Sequence, residues 1–214
     1  MAVERSASSE VDRAAPSIYN AANALTTLRI LLVPVLGWLL VARGGDDVSL
    51  RIWACAVFVV AIATDRMDGD LARRRNLVTD FGKVMDPIAD KALTGMALLG
   101  LSLIDELWWW VTILVIGREL LVTGLRFVVI RYGVIAASQG GKIKTTLQAF
   151  ALMGLILPFR RLSGGWHEIG LVLWWGAVAL MVAAVAVTLA TGADYVRRAT
   201  RLRRAGVTGR RAAS

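Results

Sequence analysis

The chain has 214 residues, of which 57% are hydrophobic and 19% are charged, and its mean hydropathy is +0.60. Ordinary soluble domains carry about 25% charged residues, so this composition excludes most water-soluble enzymes. Lysine and arginine total 25 against 16 acidic residues, a net charge of +9. Such a charge in a soluble protein would suggest nucleic acid, but beside apolar runs it is typical of membrane proteins that face anionic headgroups. We therefore expect a membrane lipid environment and no nucleic-acid partner.

Six apolar segments predict an all-α membrane protein with six transmembrane helices. They lie at about residues 24–42, 50–64, 88–104, 107–130, 145–159 and 169–191. A membrane span needs about 20 residues, so the second and third segments are expected to continue as helix into the charged stretch between them. Open β-strands would leave backbone groups unpaired in lipid, which favours helices throughout.

Lysine and arginine are distributed unevenly over the two predicted sides. If the N-terminus is cytoplasmic, only four of the 25 basic residues fall in exterior connections: Arg43, Arg51, Arg160 and Arg161. The positive-inside rule therefore predicts a multi-pass protein of the cell membrane with both termini and the site cytoplasmic.

The domain organisation is predicted to be one domain with two tails. Residues 1–17 are polar and lack the regions of a signal peptide, so we interpret them as an N-terminal tail. Residues 18–196 hold the six predicted helices. The arginine-rich residues 197–214 are interpreted as a basic C-terminal tail, which could bind anionic lipid or serve only to fix the topology.

Aspartates are concentrated between the second and third apolar segments, where six of the 16 acidic residues lie within 26 positions. Asp65 and Asp68 are three residues apart at the end of one segment, and Asp86 and Asp90 are four apart at the start of the next. At these spacings each pair shares one face of a helix. If the two helices are antiparallel neighbours, the four carboxylates converge at the cytoplasmic edge of the bundle.

A purely structural explanation of these aspartates is also available. Asp86 precedes a proline and could be a helix N-cap, and Asp68 precedes a glycine and could belong to a turn. That explanation does not account for the paired spacing. We apply it only to the two other aspartates of the stretch, Asp70 and Asp80, which we interpret as solvated loop charges.

The chemistry of this cluster indicates a metal and phosphate site. Four carboxylates in a low dielectric repel one another, so they need cations or protons. Oxygen ligands without nearby histidine or cysteine favour Mg²⁺ or Mn²⁺ over zinc or copper. Gly69 and Ala72 would leave room for a ligand, and Arg73 would supply a bidentate donor for a phosphate. The stretch therefore predicts a diphosphate held by divalent ions.

The same stretch resembles a known family signature. In chain order its fixed positions are Asp65, Asp68, Gly69, Ala72, Arg73, Gly82, Asp86 and Asp90. All eight match the signature of the CDP-alcohol phosphatidyltransferases. The resemblance implies a six-span helical membrane enzyme, commonly a homodimer. It also implies that an alcohol attacks the β-phosphorus of a CDP-linked lipid and releases CMP.

The resemblance further implies roles for individual residues. Two divalent ions would be bound by four aspartates: Asp65, Asp68, Asp86 and Asp90. Asp90 would also take the proton from the attacking hydroxyl. The residues implied to bind CDP-diacylglycerol are Gly69, Ala72, Arg73, Asn23 and Thr26.

The acceptor alcohol is indicated by other segments. Residues 23–29, 117–126 and 141–146 are similar to those of the phosphatidylglycerophosphate synthases, a bacterial branch of the family, although Ala22 replaces a usual proline. This similarity implies that the acceptor is sn-glycerol 3-phosphate. The residues expected to bind it are Arg118, Arg126, Lys142 and Lys144.

The chemistry of the acceptor residues agrees with that implication. Arg118 lies within an apolar span and is costly there unless it faces a polar cavity. Lys142 and Lys144 follow two glycines at a predicted helix start, where amide donors and the helix dipole favour a phosphate. Two structural alternatives stay open, an ion pair between Glu119 and Arg126 and simple positive-inside anchoring by the two lysines.

Other functions also stay open at this point. The same chemistry could use inositol phosphate as the acceptor, or phosphatidylglycerol in cardiolipin formation. A cation transporter could use the acidic cluster as its ion path, but its acids should then lie at mid-membrane with access from both sides. Because the four aspartates lie near one predicted face, the sequence favours the transferase.

Overall fold

The computed structural model describes the backbone of residues 21–75, 80–129 and 139–212, and the side chains of residues 23–65, 82, 85–125 and 143–200. Over this part of the chain there are six α-helices and no β-strand. The helices are α1 (Ala21–Val41), α2 (Val48–Arg75), α3 (Asp80–Leu103), α4 (Trp109–Val129), α5 (Gln139–Ile156) and α6 (His167–Ala212). The predicted all-α, six-helix architecture is confirmed. The predicted tail at residues 1–17 lies outside the described residues.

Each predicted apolar segment corresponds to one helix, but several helices are longer than the segments. Helix α2 continues through the acidic stretch, and α3 begins well before its apolar part, as the short runs led us to expect. The interpretation of Asp70 as a loop charge is wrong, because it lies inside α2. Asp80 is instead the first residue of α3. Asp86 is not an N-cap, because it lies in the second turn of α3.

Among the described residues, three helical segments are long and apolar enough to cross a membrane, namely Asn23–Gly45, Val48–Asp65 and Gly164–Thr200. The chain is therefore a membrane protein. The other three helices carry ionisable residues along their length, for example Asp90 in α3, Glu119 in α4 and Lys144 in α5. Since charges inside a membrane are costly unless they face a polar cavity, these ionisable residues are expected to face a site.

Among the described residues, helix α1 packs along both α2 and α3, whereas α2 and α3 contact each other only slightly. In this part of the chain, α1 therefore supplies most of the packing for both acidic helices. Small residues permit the close crossings. A Cβ placed on Gly100 would lie 2.8 Å from Leu40 Cδ1, and one placed on Gly154 would lie 2.6 Å from Ala177 Cβ. Close backbone approach at small residues is typical of helix packing in membranes.

The connection between α1 and α2 is a tight 3₁₀ turn, Ala42–Gly45, in which Arg43 and Gly44 have positive φ angles of 54° and 68°. Asp47 then caps α2, since its Oδ1 accepts hydrogen bonds from the Ser49 and Leu50 amides at 2.9 and 3.1 Å. The bond from the Leu50 amide is the main reason that the pKa of Asp47 is lowered. This cap orients α2 as it leaves the turn.

A cluster of charged residues closes the end of the bundle opposite the acidic stretch. Buried Glu106 accepts hydrogen bonds from Arg51, at 3.4 Å, from Arg161, and from Trp174 Nε1, at 3.1 Å. Burial would lower the pKa of Arg161, but its hydrogen bonds to Asp46 and Glu106 raise it overall. The predicted exterior arginines are therefore engaged in ion pairs that hold the helix ends together.

Candidate active site

Helix α1 binds one aspartate from each of the two acidic helices. Thr26 Oγ1 donates a hydrogen bond to Asp86 Oδ1 at 2.6 Å, and Arg29 Nη1 forms an ion pair with Asp65 Oδ1 at 2.8 Å. The Arg29 side chain is fully buried, and its Nε donates to the Ala61 carbonyl at 3.3 Å. A buried guanidinium is stable only with such partners. Helix α1 therefore fixes the carboxylates of α2 and α3 at one end of the bundle.

Two of the predicted aspartates line one cavity of about 210 Å³. The cavity lies among α1 to α5, and Asp65 and Asp90 are at its mouth together with Lys91, Glu119 and Lys144. Deeper along the same helices the lining becomes apolar, with Phe58, Leu93, Leu98, Val115 and Leu152. The cavity thus has a charged mouth at the helix ends next to the acidic stretch and an apolar floor within the bundle. This polarity matches a ligand with a charged head and an apolar tail.

Lys144 is held at the mouth by an acidic partner. Its Nζ contacts Glu119 Oε1, which also accepts a hydrogen bond from Arg118 Nη1 at 2.9 Å. Lys144 is 7% exposed, so its ammonium group is largely withdrawn from bulk water. The alternative pairing of Glu119 with Arg126 is not tested, because the Arg126 side chain lies outside the described side chains. Glu119 therefore links α4 to α5 at the mouth of the cavity.

Arg118 lies away from the cavity lining. Its Nε donates to the Thr188 carbonyl at 3.2 Å and its Nη2 donates to Thr191 Oγ1 at 2.9 Å. A Cβ placed on Gly192 would meet the same guanidinium at 3.2 Å, so α6 approaches Arg118 closely. In the described structure this arginine joins α4 to α6.

Several cavity residues were given no role by the sequence analysis. Lys91 lies at the mouth and donates to Thr123 Oγ1 on α4, and Gln148 lies on α5. The sequence pattern marks Arg29 only as part of the family-like segment at residues 23–29. A role for Lys91 could have been predicted, because it directly follows Asp90 in the sequence. Nothing in the sequence pattern distinguishes Gln148 from an ordinary polar residue.

For most of the remaining predicted site residues, the structure describes the backbone but not the side chain. Asn23 and Gly82 are buried, Asn23 in the first turn of α1 and Gly82 in the first turn of α3. Six other predicted site residues have a helical backbone, but their side chains are not among those described. They are Asp68, Gly69, Ala72, Arg73, Arg126 and Lys142. Among the described side chains, no group of three histidine, cysteine or acidic residues is close enough to hold a metal ion. The Asp68 side chain is not among them.

The donor chemistry of the described part nevertheless fits a hard divalent cation. Asp65 and Asp90 offer carboxylate oxygens at one mouth, and Asp86 is held nearby on the same helix as Asp90. The soft or imidazole ligands of the chain are elsewhere, since Cys55 is buried in the core and His167 begins α6 at the opposite end. Oxygen-only ligand sets favour Mg²⁺ or Mn²⁺.

Comparison with known proteins identifies the family. Residues 19–190 match the family model described as CDP-alcohol phosphatidyltransferase. A probable phosphatidylglycerophosphate synthase of Mycobacterium tuberculosis (strain CDC 1551 / Oshkosh) is 50% identical over 184 residues, which cover 86% of this chain and 83% of that protein.

Two further relatives carry the name CDP-diacylglycerol–glycerol-3-phosphate 3-phosphatidyltransferase. The protein of Bacillus subtilis (strain 168) is 38% identical over 174 residues, covering 75% of this chain and 89% of its own. That of Rickettsia felis (strain ATCC VR-1525 / URRWXCal2) is 38% identical over 177 residues, covering 82% and 93%. The chain belongs to the CDP-alcohol phosphatidyltransferase family and is a membrane transferase.

Proposed function

We propose that this enzyme transfers the phosphatidyl group of CDP-diacylglycerol to sn-glycerol 3-phosphate, giving phosphatidylglycerophosphate and CMP. The observation that carries the proposal is the cavity, in which Asp65 and Asp90 share a charged mouth with Lys144 above an apolar floor. A charged nucleotide diphosphate and an acyl lipid need these two environments side by side. The names of the relatives supply the two substrates.

The four aspartates are proposed to hold two divalent ions. Members of this family generally depend on a divalent metal, and the proposed ligands are Asp65, Asp68, Asp86 and Asp90. When bound, such ions would supply charge neutralisation of the diphosphate and of the leaving CMP oxygen. The protein's own part is to fix the carboxylates, which Thr26 and Arg29 do from α1.

The proton of the attacking hydroxyl is proposed to pass to Asp90. Its carboxylate lies at the mouth of the cavity and is exposed there, so an incoming alcohol could reach it. A positioned carboxylate can act as a general base when it lies within hydrogen-bond reach of the hydroxyl. The oxygen of the acceptor then attacks the β-phosphorus, and CMP leaves with the electrons of the broken phosphoanhydride bond.

The substrates are proposed to occupy different parts of the mouth. The CDP moiety would lie along Gly69, Ala72 and Arg73, with Asn23 and Thr26 at the start of α1. The phosphate of the acceptor would lie near Lys144, with Lys142 and Arg126 contributing from the same end of the bundle. Arg118 would act through its hold on Glu119 and α6 rather than by lining the cavity.

The topology is proposed to be that of a multi-pass protein of the plasma membrane with both termini and the site in the cytoplasm. The lysine and arginine asymmetry supports this orientation. We also propose a homodimer, and one domain at residues 18–196 between a polar tail (1–17) and a basic tail (197–214).

The direct test is a transfer assay on the purified full-length chain. Labelled sn-glycerol 3-phosphate, CDP-diacylglycerol in mixed micelles and Mg²⁺ or Mn²⁺ should yield a labelled lipid and one CMP per product. A chelator should abolish the reaction, and added Mg²⁺ or Mn²⁺ should restore it. If only inositol phosphate or phosphatidylglycerol gave a product, the acceptor would be wrong while the family chemistry stood.

Lys144→Ala should weaken the use of glycerol 3-phosphate more than that of the lipid. A hydrogen bond to a charged group is worth about 1.5–3 kcal/mol, so we expect KM for glycerol 3-phosphate to rise roughly 10- to 100-fold. The KM for CDP-diacylglycerol should change only a few-fold. Initial rates with each substrate varied in turn measure both values.

Two controls accompany that measurement. Arg198→Ala removes an exposed cation that pairs with Asp194 on α6, and its kinetics should equal those of the wild type. Glu119→Gln removes the charge of the partner of Lys144 while leaving the lysine in place. Equal losses for both substrates in Lys144→Ala would instead indicate that the lysine serves mainly to hold α4 against α5.

A further inference from the structure

Gln148 is a buried amide in the wall of the cavity. Its side chain is on α5, lines the cavity and is 5% exposed. Within the described part of the chain, the side-chain nitrogen Nε2 has no hydrogen-bond partner. A buried donor without a partner is destabilising, and native proteins rarely keep one without a reason. The group is therefore poised to bind an acceptor atom that does not belong to the described protein.

The position of Gln148 along α5 indicates how deep in the cavity its hydrogen-bond acceptor would lie. Lys144 lies one helical turn towards the mouth and Leu152 one turn towards the floor, and all three line the same cavity. Residues four apart lie above one another on one helix face. Gln148 therefore stands at the boundary between the charged mouth and the apolar floor.

The chemistry at this boundary selects a neutral acceptor. The cavity already offers cationic side chains for phosphate oxygens, among them Lys91 and Lys144. A neutral amide between them and the apolar floor suits an uncharged carbonyl oxygen. In a diacyl lipid, the ester carbonyls lie between the phosphate and the hydrocarbon chains. An ester carbonyl oxygen accepts hydrogen bonds but cannot donate one, so it suits the N–H donor of the Gln148 amide.

We propose that the Gln148 amide nitrogen donates a hydrogen bond to an ester carbonyl oxygen of the lipid substrate and so positions the diacylglycerol part of CDP-diacylglycerol. This inference rests on the proposed function and adds a positioning residue for the lipid. It predicts that the enzyme distinguishes ester-linked from ether-linked lipids, because an alkyl ether lacks the carbonyl.

The test compares two lipids on each protein variant. CDP-diacylglycerol and its dialkyl ether analogue are each used with saturating glycerol 3-phosphate and the full-length chain in mixed micelles. A site built for a hydrogen bond rejects a ligand that lacks the acceptor. We therefore expect wild-type kcat/KM to be roughly tenfold higher for the ester, a difference of about 1.4 kcal/mol.

In Gln148→Leu the ester and the ether should be used equally. Gln148→Met is a second variant without the donor, and its side chain is longer than that of leucine. It should also use the two lipids equally. Because each ratio is measured within one variant, a change in the folded fraction cancels out of it. The thermal midpoint of substrate-free Gln148→Leu should equal or exceed that of the wild type, since an unpaired buried donor has been removed.

Two outcomes would overturn the proposal while leaving the proposed function intact. One is an unchanged ester-to-ether ratio in both variants. The other is a rise in KM for glycerol 3-phosphate with no change in the lipid ratio, which would assign Gln148 to the acceptor. A wild-type enzyme that used neither CDP-lipid would overturn the proposed function together with this inference.

Discussion

Asp90→Asn is expected to lower kcat by about 10² to 10⁴-fold, the usual contribution of a positioned general base. The amide has nearly the same shape as the carboxylate, so the cavity and its packing should persist. It cannot accept the proton from the attacking hydroxyl, however. The affinity for CDP-diacylglycerol should stay within a few-fold of the wild-type value, because Asp65 and its partner Arg29 are untouched. Single-turnover rates and lipid binding, measured on the same preparation, separate the two effects.

A matched control is available on α6. Asp194 is an aspartate that pairs with Arg198 on the helix surface and does not line the cavity, so Asp194→Asn should keep wild-type turnover. Wild-type turnover in Asp90→Asn would remove Asp90 from the mechanism. If that variant lost lipid binding and turnover in equal proportion, Asp90 would be a binding residue rather than the base.

Hydropathy was sufficient to predict the six helices, because each apolar run needs one helix in a membrane. The extension of α2 and α3 into the acidic stretch was also predictable, since their apolar parts are too short to span a bilayer. The placement of Asp65 and Asp90 in one cavity follows from the same reasoning. The prediction that Asp70 lies in a loop is wrong, because a charged stretch rich in turn-forming residues can still continue a helix.

Contacts between distant segments could not be predicted from spacing within the acidic stretch. Thr26 binds Asp86 across 60 positions, and Arg29 reaches Asp65 from a different helix. No sequence pattern indicates that side chains of α1 contact an aspartate on each of the two acidic helices. The family resemblance predicts that Arg118 binds the acceptor, and its cost within an apolar span agrees with a polar environment. In the structure, Glu119 and the hydroxyl and carbonyl groups of α6 supply polar partners for its guanidinium.

The sequence pattern marks the four arginines predicted to be exterior only as indicators of topology. In the structure, Arg51 is fully buried and donates to the carbonyls of Leu155 and Ile156 at 2.6 and 2.7 Å. Those carbonyls lie at the C-terminal end of α5, where no further helical amide follows to bind them. Arg51 also pairs with buried Glu106. One side chain thus caps α5 and joins it to α2.

Arg51→Met is therefore expected to destabilise the fold by about 3–5 kcal/mol, the usual effect of removing one partner of a buried charge pair. Methionine fills most of the same volume but donates no hydrogen bond. The carbonyls of Leu155 and Ile156 would be left without their donor, and Glu106 would lose one of its cations. The thermal midpoint of the purified protein in detergent should fall markedly, as measured by the loss of folded, monodisperse protein on heating.

Arg43→Met is the matched control, since Arg43 also forms an ion pair with an acid at this end of the bundle but is 76% exposed. Exposed pairs contribute about 0–1 kcal/mol, so its midpoint should stay near the wild-type value. At a temperature where Arg51→Met is still folded, its KM values should be unchanged, because Arg51 does not line the cavity. Equal midpoints for the two variants would contradict the capping role. A change in KM would mean that the two ends of the bundle are coupled.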